Sequence, residues 1–76
     1  MVEAIILLNT TPGYEEKLVK ILKEKQYVKD AKIVYGEYDI VLRVEVSNLS
    51  DLRRIVIDEI RKMQGVEKTV TLIVAF

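Results

Sequence analysis

Few side chains in this 76-residue chain can do covalent chemistry. It has no histidine, cysteine or tryptophan, so neither a Ser–His nor a Cys–His nucleophile system can be assembled. Ser47 and Ser50 fall in a predicted helix cap. Metal sites built on imidazole or thiolate are excluded within one chain type. The glycines are Gly13, Gly36 and Gly65, too few and too scattered for a P-loop or a dinucleotide fingerprint. Carboxylate-pair catalysis is allowed by composition, but no acidic pair is singled out by its surroundings. What remains is polar recognition. Asp39 follows the Gly36-Glu37 turn, with Tyr35 and Tyr38 on either side, and Thr69 and Thr71 stand two apart on a later strand. Read by themselves these are structural residues. Asp39 steadies its turn, Gly36 serves hairpin geometry, the threonines are solvent-face strand residues and the tyrosines pack.

The elements that must position these groups belong to one small domain spanning 1–76. A chain this short buries only about 60–65% of the surface it exposes when unfolded. Disulfides cannot supplement that core. Half the residues are hydrophobic, so self-association is the remaining route to stability. Twelve basic residues balance twelve acidic ones, and they interleave, as in Glu15-Glu16-Lys17. A nucleic-acid binder normally carries a basic excess that displaces counterions, so direct nucleic-acid binding is not expected. Met1-Val2-Glu3 lacks the basic region of a signal peptide, and the apolar runs Ala4–Leu8 and Leu72–Phe76 are far below the ~20 residues of a membrane span. A cytoplasmic location without membrane contact is expected, and the Lys, Glu, Ile and Val enrichment points to a thermophilic source.

Val2 to Asn9 reads as a strand apolar on both faces: Val2, Ala4, Ile6 and Leu8 on one, Ile5 and Leu7 on the other. Thr11 is the expected N-cap of a helix with Pro12 at its first position, ending near Lys25 or Gln26. Tyr14, Leu18, Ile21 and Leu22 form its apolar stripe. Val28 to Tyr35 and Tyr38 to Val46 are expected strands joined tightly at Gly36-Glu37. In the second of them Ile40, Leu42, Val44 and Val46 oppose Asp39, Val41, Arg43 and Glu45. Ser47 or Asn48 caps a second helix whose stripe is Leu52, Ile55, Val56, Ile60 and Met63, with Gly65 as terminator. Val66 to Phe76 is the last strand, with Thr69 and Thr71 on one face.

The order β-α-β-β-α-β predicts an α+β, ferredoxin-like two-layer sandwich: a four-stranded antiparallel sheet with two helices on one face. The other face carries Ile5, Leu7 and Val41 and is expected to be buried against a second subunit.

Two segments, Gly36-Glu37-Tyr38-Asp39-Ile40-Val41-Leu42-Arg43-Val44 and Gly65-Val66-Glu67-Lys68-Thr69-Val70-Thr71-Leu72-Ile73-Val74, carry a family resemblance. Together they resemble the effector domain of the leucine-responsive regulatory protein and asparagine-synthase regulator (Lrp/AsnC) family, the regulation-of-amino-acid-metabolism (RAM) domain. The family pattern is a Gly-x-(Tyr/Phe)-Asp turn entering an apolar strand, then Pro-Gly-Val before a Thr-x-Thr strand. The likeness runs through the whole chain in element order. Gln64 stands where the family usually has proline, and the helix-turn-helix DNA-binding domain that normally precedes this one is not expected in this chain. The chain therefore resembles a stand-alone effector domain.

The resemblance implies dimers formed through the sheets, assembly as far as a ring of eight, and a small amino acid bound between dimers. By position, Gly36 and Tyr38 would lend backbone groups, Asp39 would pair with the ligand ammonium, and Thr69 and Thr71 would be hydroxyl partners. Co-assembly with full-length family regulators would connect such a module to transcription. No cofactor is implied. An amino acid does need an anion for its ammonium and N–H or O–H donors for its carboxylate, which these residue types supply. Two rival readings keep the same fold. One is an ACT-like sensor, with edge-to-edge sheets and ligand at the Asn9–Gly13 loop. The other is a cofactor-free dimeric αβ-barrel enzyme, against which the lack of histidine argues.

Overall fold

The computed structural model describes residues 1–76. Strand β1 (Val2–Thr10) is followed by helix α1 (Glu15–Lys23), strands β2 (Val28–Ile33) and β3 (Ile40–Val46), helix α2 (Leu49–Arg54, continued by a π-helical turn Ile55–Ile60) and strand β4 (Val66–Ile73). The sheet order is β2-β3-β1-β4, and every pairing is antiparallel. This is the expected ferredoxin-like α+β sandwich.

Strict alternation on the two central strands decides which side the helices cover. Ala4, Ile6 and Leu8 of β1 and Ile40, Leu42, Val44 and Val46 of β3 are buried, and the register sets Ile6 against Leu42 and Leu8 against Ile40. They form one core with Leu18 and Leu22 of α1 and with Leu52, Ile55 and Ile60 of the second helix. Full burial of one such side chain contributes about 1.5–3 kcal/mol. Ile21 was expected in the α1 stripe but is 37% exposed.

Several element ends differ from the sequence expectation for local reasons. Thr11 does not cap α1. Its carbonyl accepts from Tyr14 N–H at 3.1 Å and its hydroxyl donates to Glu67 Oε2 at 2.9 Å, so 11–14 form a turn and the helix starts at Glu15. Glu15 Oε1 then accepts from Gly13 N–H at 2.8 Å, and α1 stops at Lys23. In the second helix Asn48 is the cap, accepting from Asp51 N–H at 2.8 Å. The β4 ladder ends at Ile73, short of Phe76.

The π-helical turn has no counterpart in the sequence reading. Arg61 N–H donates to the Val56 carbonyl five residues back, at 3.0 Å. The wider turn suits the five-residue step from Ile55 to Ile60, which an α-helix would send to different sides. Both are buried.

A polar network ties this helix to the chain before β2. The Tyr27 hydroxyl donates to Glu59 Oε1 at 2.9 Å, and Arg54 Nη1 donates to Glu59 Oε2 at 3.2 Å. Burial first, and the Glu59 carboxylate second, push the Tyr27 hydroxyl well above its ordinary pKa. The folded chain thus holds this proton more tightly than the unfolded chain does. The resulting stability is present below pH ~10, the unfolded value for tyrosine, and is lost as the pH rises beyond it. Tyr27→Phe is expected to flatten the stability decline above pH ~10. Urea midpoints of both proteins across that range are the check, and identical slopes would refute the linkage.

Candidate functional site

The connection between β2 and β3 was expected to be a two-residue turn at Gly36-Glu37. It is six residues long, 34–39, because β2 ends and β3 begins two residues further from the turn than expected. The reason lies in β1. Asp39 N–H donates to the Leu8 carbonyl at 2.8 Å, Asp39 Oδ2 accepts from Thr10 N–H at 2.8 Å, and Asn9 Nδ2 donates to the Glu37 carbonyl at 2.9 Å. The Asp39 carbonyl closes the loop by accepting from Val34 N–H at 2.9 Å. Pulled onto β1 in this way, the chain leaves the hairpin ladder before the turn and bows outward. Gly36, at φ +137°, has the backbone shape that L side chains rarely adopt, and no atom crowds the place a Cβ would take. The glycine is there for conformation and leaves the loop backbone open to approach.

Asp39 is half-buried and makes no ion pair within the subunit. Its Oδ2 is taken by Thr10, with the Thr10 hydroxyl at 3.5 Å from the same oxygen, and Oδ1 has no partner. The carboxylate thus has one oxygen tied to the fold and one to offer. The same hydrogen bonds join the Asn9–Gly13 loop to the Gly36–Asp39 turn. The two loops that the rival sensor readings placed apart form one corner of the molecule.

Thr69 and Thr71 do share one face of β4, but it is the helix side. They stand opposite Leu8 and Ile6, both fully buried, and are themselves half-buried. The expectation of solvent-face residues is corrected by that register. Thr71 sits with Leu49, Leu52, Val56, Ile57 and Ile73 beside an apolar groove between α2 and β4. Thr69 lines a polar hollow with Arg61, Glu67 and Lys68. β1 separates both from Asp39, a distance of two strand spacings or ~10 Å. The structure brings Gly36, Tyr38 and Asp39 together and places Thr69 and Thr71 elsewhere in the same subunit.

Tyr38 extends toward β4, where Lys68 Nζ lies 6.0 Å from its ring centroid. Lys68 was not singled out from the sequence. Its sequence signal is only its place just before Thr69; the ladder is what sets it opposite Asn9.

The open face of the sheet carries Ile5, Leu7, Val41, Val70 and Leu72, contiguous by the register Ile5–Leu72 and Leu7–Val70. At its far end Arg43 Nη1 donates to Glu45 Oε2 at 2.8 Å and to Glu3 Oε2 at 3.2 Å. No helix of the chain is long and apolar enough to cross a membrane.

Comparison with known proteins agrees with this fold. The chain is 44% identical over 46 residues to the uncharacterized HTH-type transcriptional regulator PH1916 of Pyrococcus horikoshii. That match takes in 60% of this chain and 31% of the regulator, and the chain spans less than half the length of the regulators it matches. The crystal structure of FFRP-DM1 superposes with a TM-score of 0.95 at 40% identity, covering 97% of this chain and 99% of that one. The L-Met complex of the transcriptional regulator NMB0573 from Neisseria meningitidis shares the fold, with a TM-score of 0.87 at 16% identity over 99% of this chain and 50% of that one. The sequence pattern of the Lrp/AsnC ligand binding domain matches residues 3–75, and the chain belongs to that family.

Proposed function

We propose that this chain is a non-enzymatic effector module: it oligomerises, binds a small amino acid at a subunit interface and modulates transcription or metabolism indirectly. The observation that carries the reading is the Gly36–Asp39 turn, lifted out of the hairpin and locked to β1 with one Asp39 carboxylate oxygen left to offer. That oxygen is the partner for the ligand ammonium, and the loop backbone around Gly36 and Tyr38 supplies further contacts. Thr69 and Thr71 reach the ligand from a neighbouring subunit, since β1 separates them from Asp39 within one chain. The L-Met complex of the Neisseria regulator, a protein of the same fold, supports an amino acid as the ligand class. A ligand seated between subunits shifts assembly by its differential affinity for the assembled form. An eight-subunit ring, and co-assembly with full-length family regulators that carry the DNA-binding domain, are the proposed route to regulation.

Calorimetric titration with each common amino acid, with light scattering on the same samples, tests the proposal. Saturable heat with one or a few amino acids and a change in mass is the expected result. No heat with any of them would remove the sensor reading and leave an assembly partner.

The dimer is placed on the open face, where Ile5, Leu7, Val41, Val70 and Leu72 need apolar cover. Leu7→Asp puts a charge at the centre of that patch without touching the helix-side core. The expected outcome is a monomer at micromolar concentration, with the native circular dichroism spectrum. An unchanged mass would move the dimer contact to another surface.

A further inference from the structure

We infer that Tyr35 of one copy docks into the apolar groove between α2 and β4 of a second copy, a head-to-tail contact that joins subunits beyond the dimer. The inference rests on the assembly part of the reading above, names the surfaces that make it, and does not depend on the ligand.

Both halves are left unsatisfied in a single subunit. Tyr35 stands directly before Gly36, and its side chain is fully exposed. Ile33, also exposed, borders a hollow beside it with Gly13, Glu15 and Glu16. Buried in an interface, an aromatic ring removes about 150–250 Å² from water and is a common anchor of binding energy. The groove is the converse shape. It measures about 370 Å³, with Leu52 and Val56 below and Leu49, Ile57 and Ile73 exposed along its sides. Arg53 and Thr71 are its polar lining residues.

Charge points to a second copy as the occupant. Glu15 and Glu16 border the tyrosine, Glu37 follows it two residues on, and none of the three takes part in an ion pair. Arg53 at the groove is unpaired as well. Further along β4, Thr69 shares a hollow with Arg61 and Lys68, two more cations outside every ion pair of the subunit. A ring with an acidic border thus meets an apolar slot with a basic one, complementarity that fixes partner and register.

Position makes the contact one between copies, and one that repeats. β2 and β4 are the outer strands, so the tyrosine that follows β2 and the groove beside β4 lie on opposite flanks of a subunit. A contact between two different patches is heterologous, and on repetition it closes into a ring or runs on as a filament. It leaves the open face of the sheet free, so the dimer placed there forms alongside it. It also sets Thr71, in the groove, beside the turn that carries Asp39 in the next copy. The simpler alternative is a solvated loop tyrosine and an empty groove, which predicts no dependence of assembly on either.

The test is sedimentation of the intact protein over a range of concentrations, with and without the common amino acids added. Tyr35→Ser, Ile57→Asp and Arg53→Glu are compared with the unaltered chain. All three side chains are exposed, so the variants are expected to keep the native circular dichroism spectrum. Tyr35→Ser is expected to raise the concentration at half assembly about thirtyfold or more, as for an anchoring aromatic, and to leave dimers. Ile57→Asp and Arg53→Glu, which set like charges against the acidic border, should each raise it about tenfold or more. An equimolar mixture of Tyr35→Ser and Ile57→Asp should sediment faster than either alone, since one still offers a groove and the other a ring. No gain in the mixture would show that ring and groove are not partners. If the unaltered chain forms species larger than a dimer and Tyr35→Ser forms them equally well, this contact is overturned while the assembly reading stands. Loss of assembly in Ile57→Asp alone gives the groove to a different occupant and overturns the contact too. If the unaltered chain forms nothing larger than a dimer in any of these conditions, the contact and the ring fall together.

Discussion

Asp39→Ala is expected to weaken amino-acid binding and to destabilise the subunit, whereas Asp39→Asn is expected to weaken binding alone. The two outcomes separate because the carboxylate does two jobs with two oxygens. Oδ2 accepts from the backbone N–H of Thr10, a residue only 5% exposed. Alanine leaves that buried donor without a partner, at a cost of about 1–3 kcal/mol. A chain of this length has roughly 4–11 kcal/mol of total stability, so the loss is visible as an earlier urea midpoint at constant slope. Asparagine keeps an oxygen for Thr10 and the same shape but loses the charge. Pairing of a ligand ammonium with a carboxylate contributes about 1.5–3 kcal/mol, so affinity falls by about ten- to a hundredfold without a change in midpoint. Should Asp39→Asn bind amino acids as the unaltered chain does, Asp39 is a turn-holding residue only, and the site lies elsewhere on the corner.

Gly65→Ala should be the most damaging single-methyl addition in the chain. The second helix ends at Ile60, earlier than the terminator expected at Gly65; Gly65 lies in the turn before β4 at φ +97°, a shape that costs an L residue about 1–2 kcal/mol. A Cβ there would also sit 2.6 Å from Cγ and Cδ2 of Tyr14 and 2.9 Å from its Cβ. Tyr14 cannot swing away freely. Its side chain packs on the core and its hydroxyl accepts from Gln64 Nε2 at 3.3 Å, while Thr11 N–H donates to the Gly65 carbonyl at 2.8 Å. Strain and overpacking together are expected to cost about 2–4 kcal/mol, read from the same denaturation curves. The double variant Tyr14→Ala/Gly65→Ala separates the two causes. Starting from Tyr14→Ala, the added methyl should cost only the backbone part. An additive result, with the methyl equally costly in both backgrounds, would show that the close contact carries none of the effect. The close approach binds the start of α1 to the start of β4, the two segments that flank the candidate site.

Much of this architecture was legible in the residues. Alternation on Ile40–Val46 has only one solution as sheet faces, since a slip of one residue would turn every buried side chain outward. The apolar open face and the cap at Asn48 were equally local in origin. Each depends on neighbours a few residues away, which the sequence lists directly. The glycine-turn and Thr-x-Thr segments marked the family for a different reason, because their order and spacing were intact.

What tertiary structure decided was long-range. Thr11 looked like a cap until its hydroxyl was drawn to Glu67, 56 positions away. The turn at Gly36 looked tight until Asp39 was captured by Thr10, 29 positions back. The π-helical turn arose because Ile55 and Ile60 both had to face one sheet. Thr69 and Thr71 moved from the solvent side to the helix side by the register of β4 on β1. Lys68 came to lie across Asn9 from the Asp39 turn only through that same register. Periodicity and capping are energies of adjacent residues, so a sequence determines them by itself. Which polar group pairs with which across strands is decided by the register the whole sheet settles into, and only the folded chain contains that information.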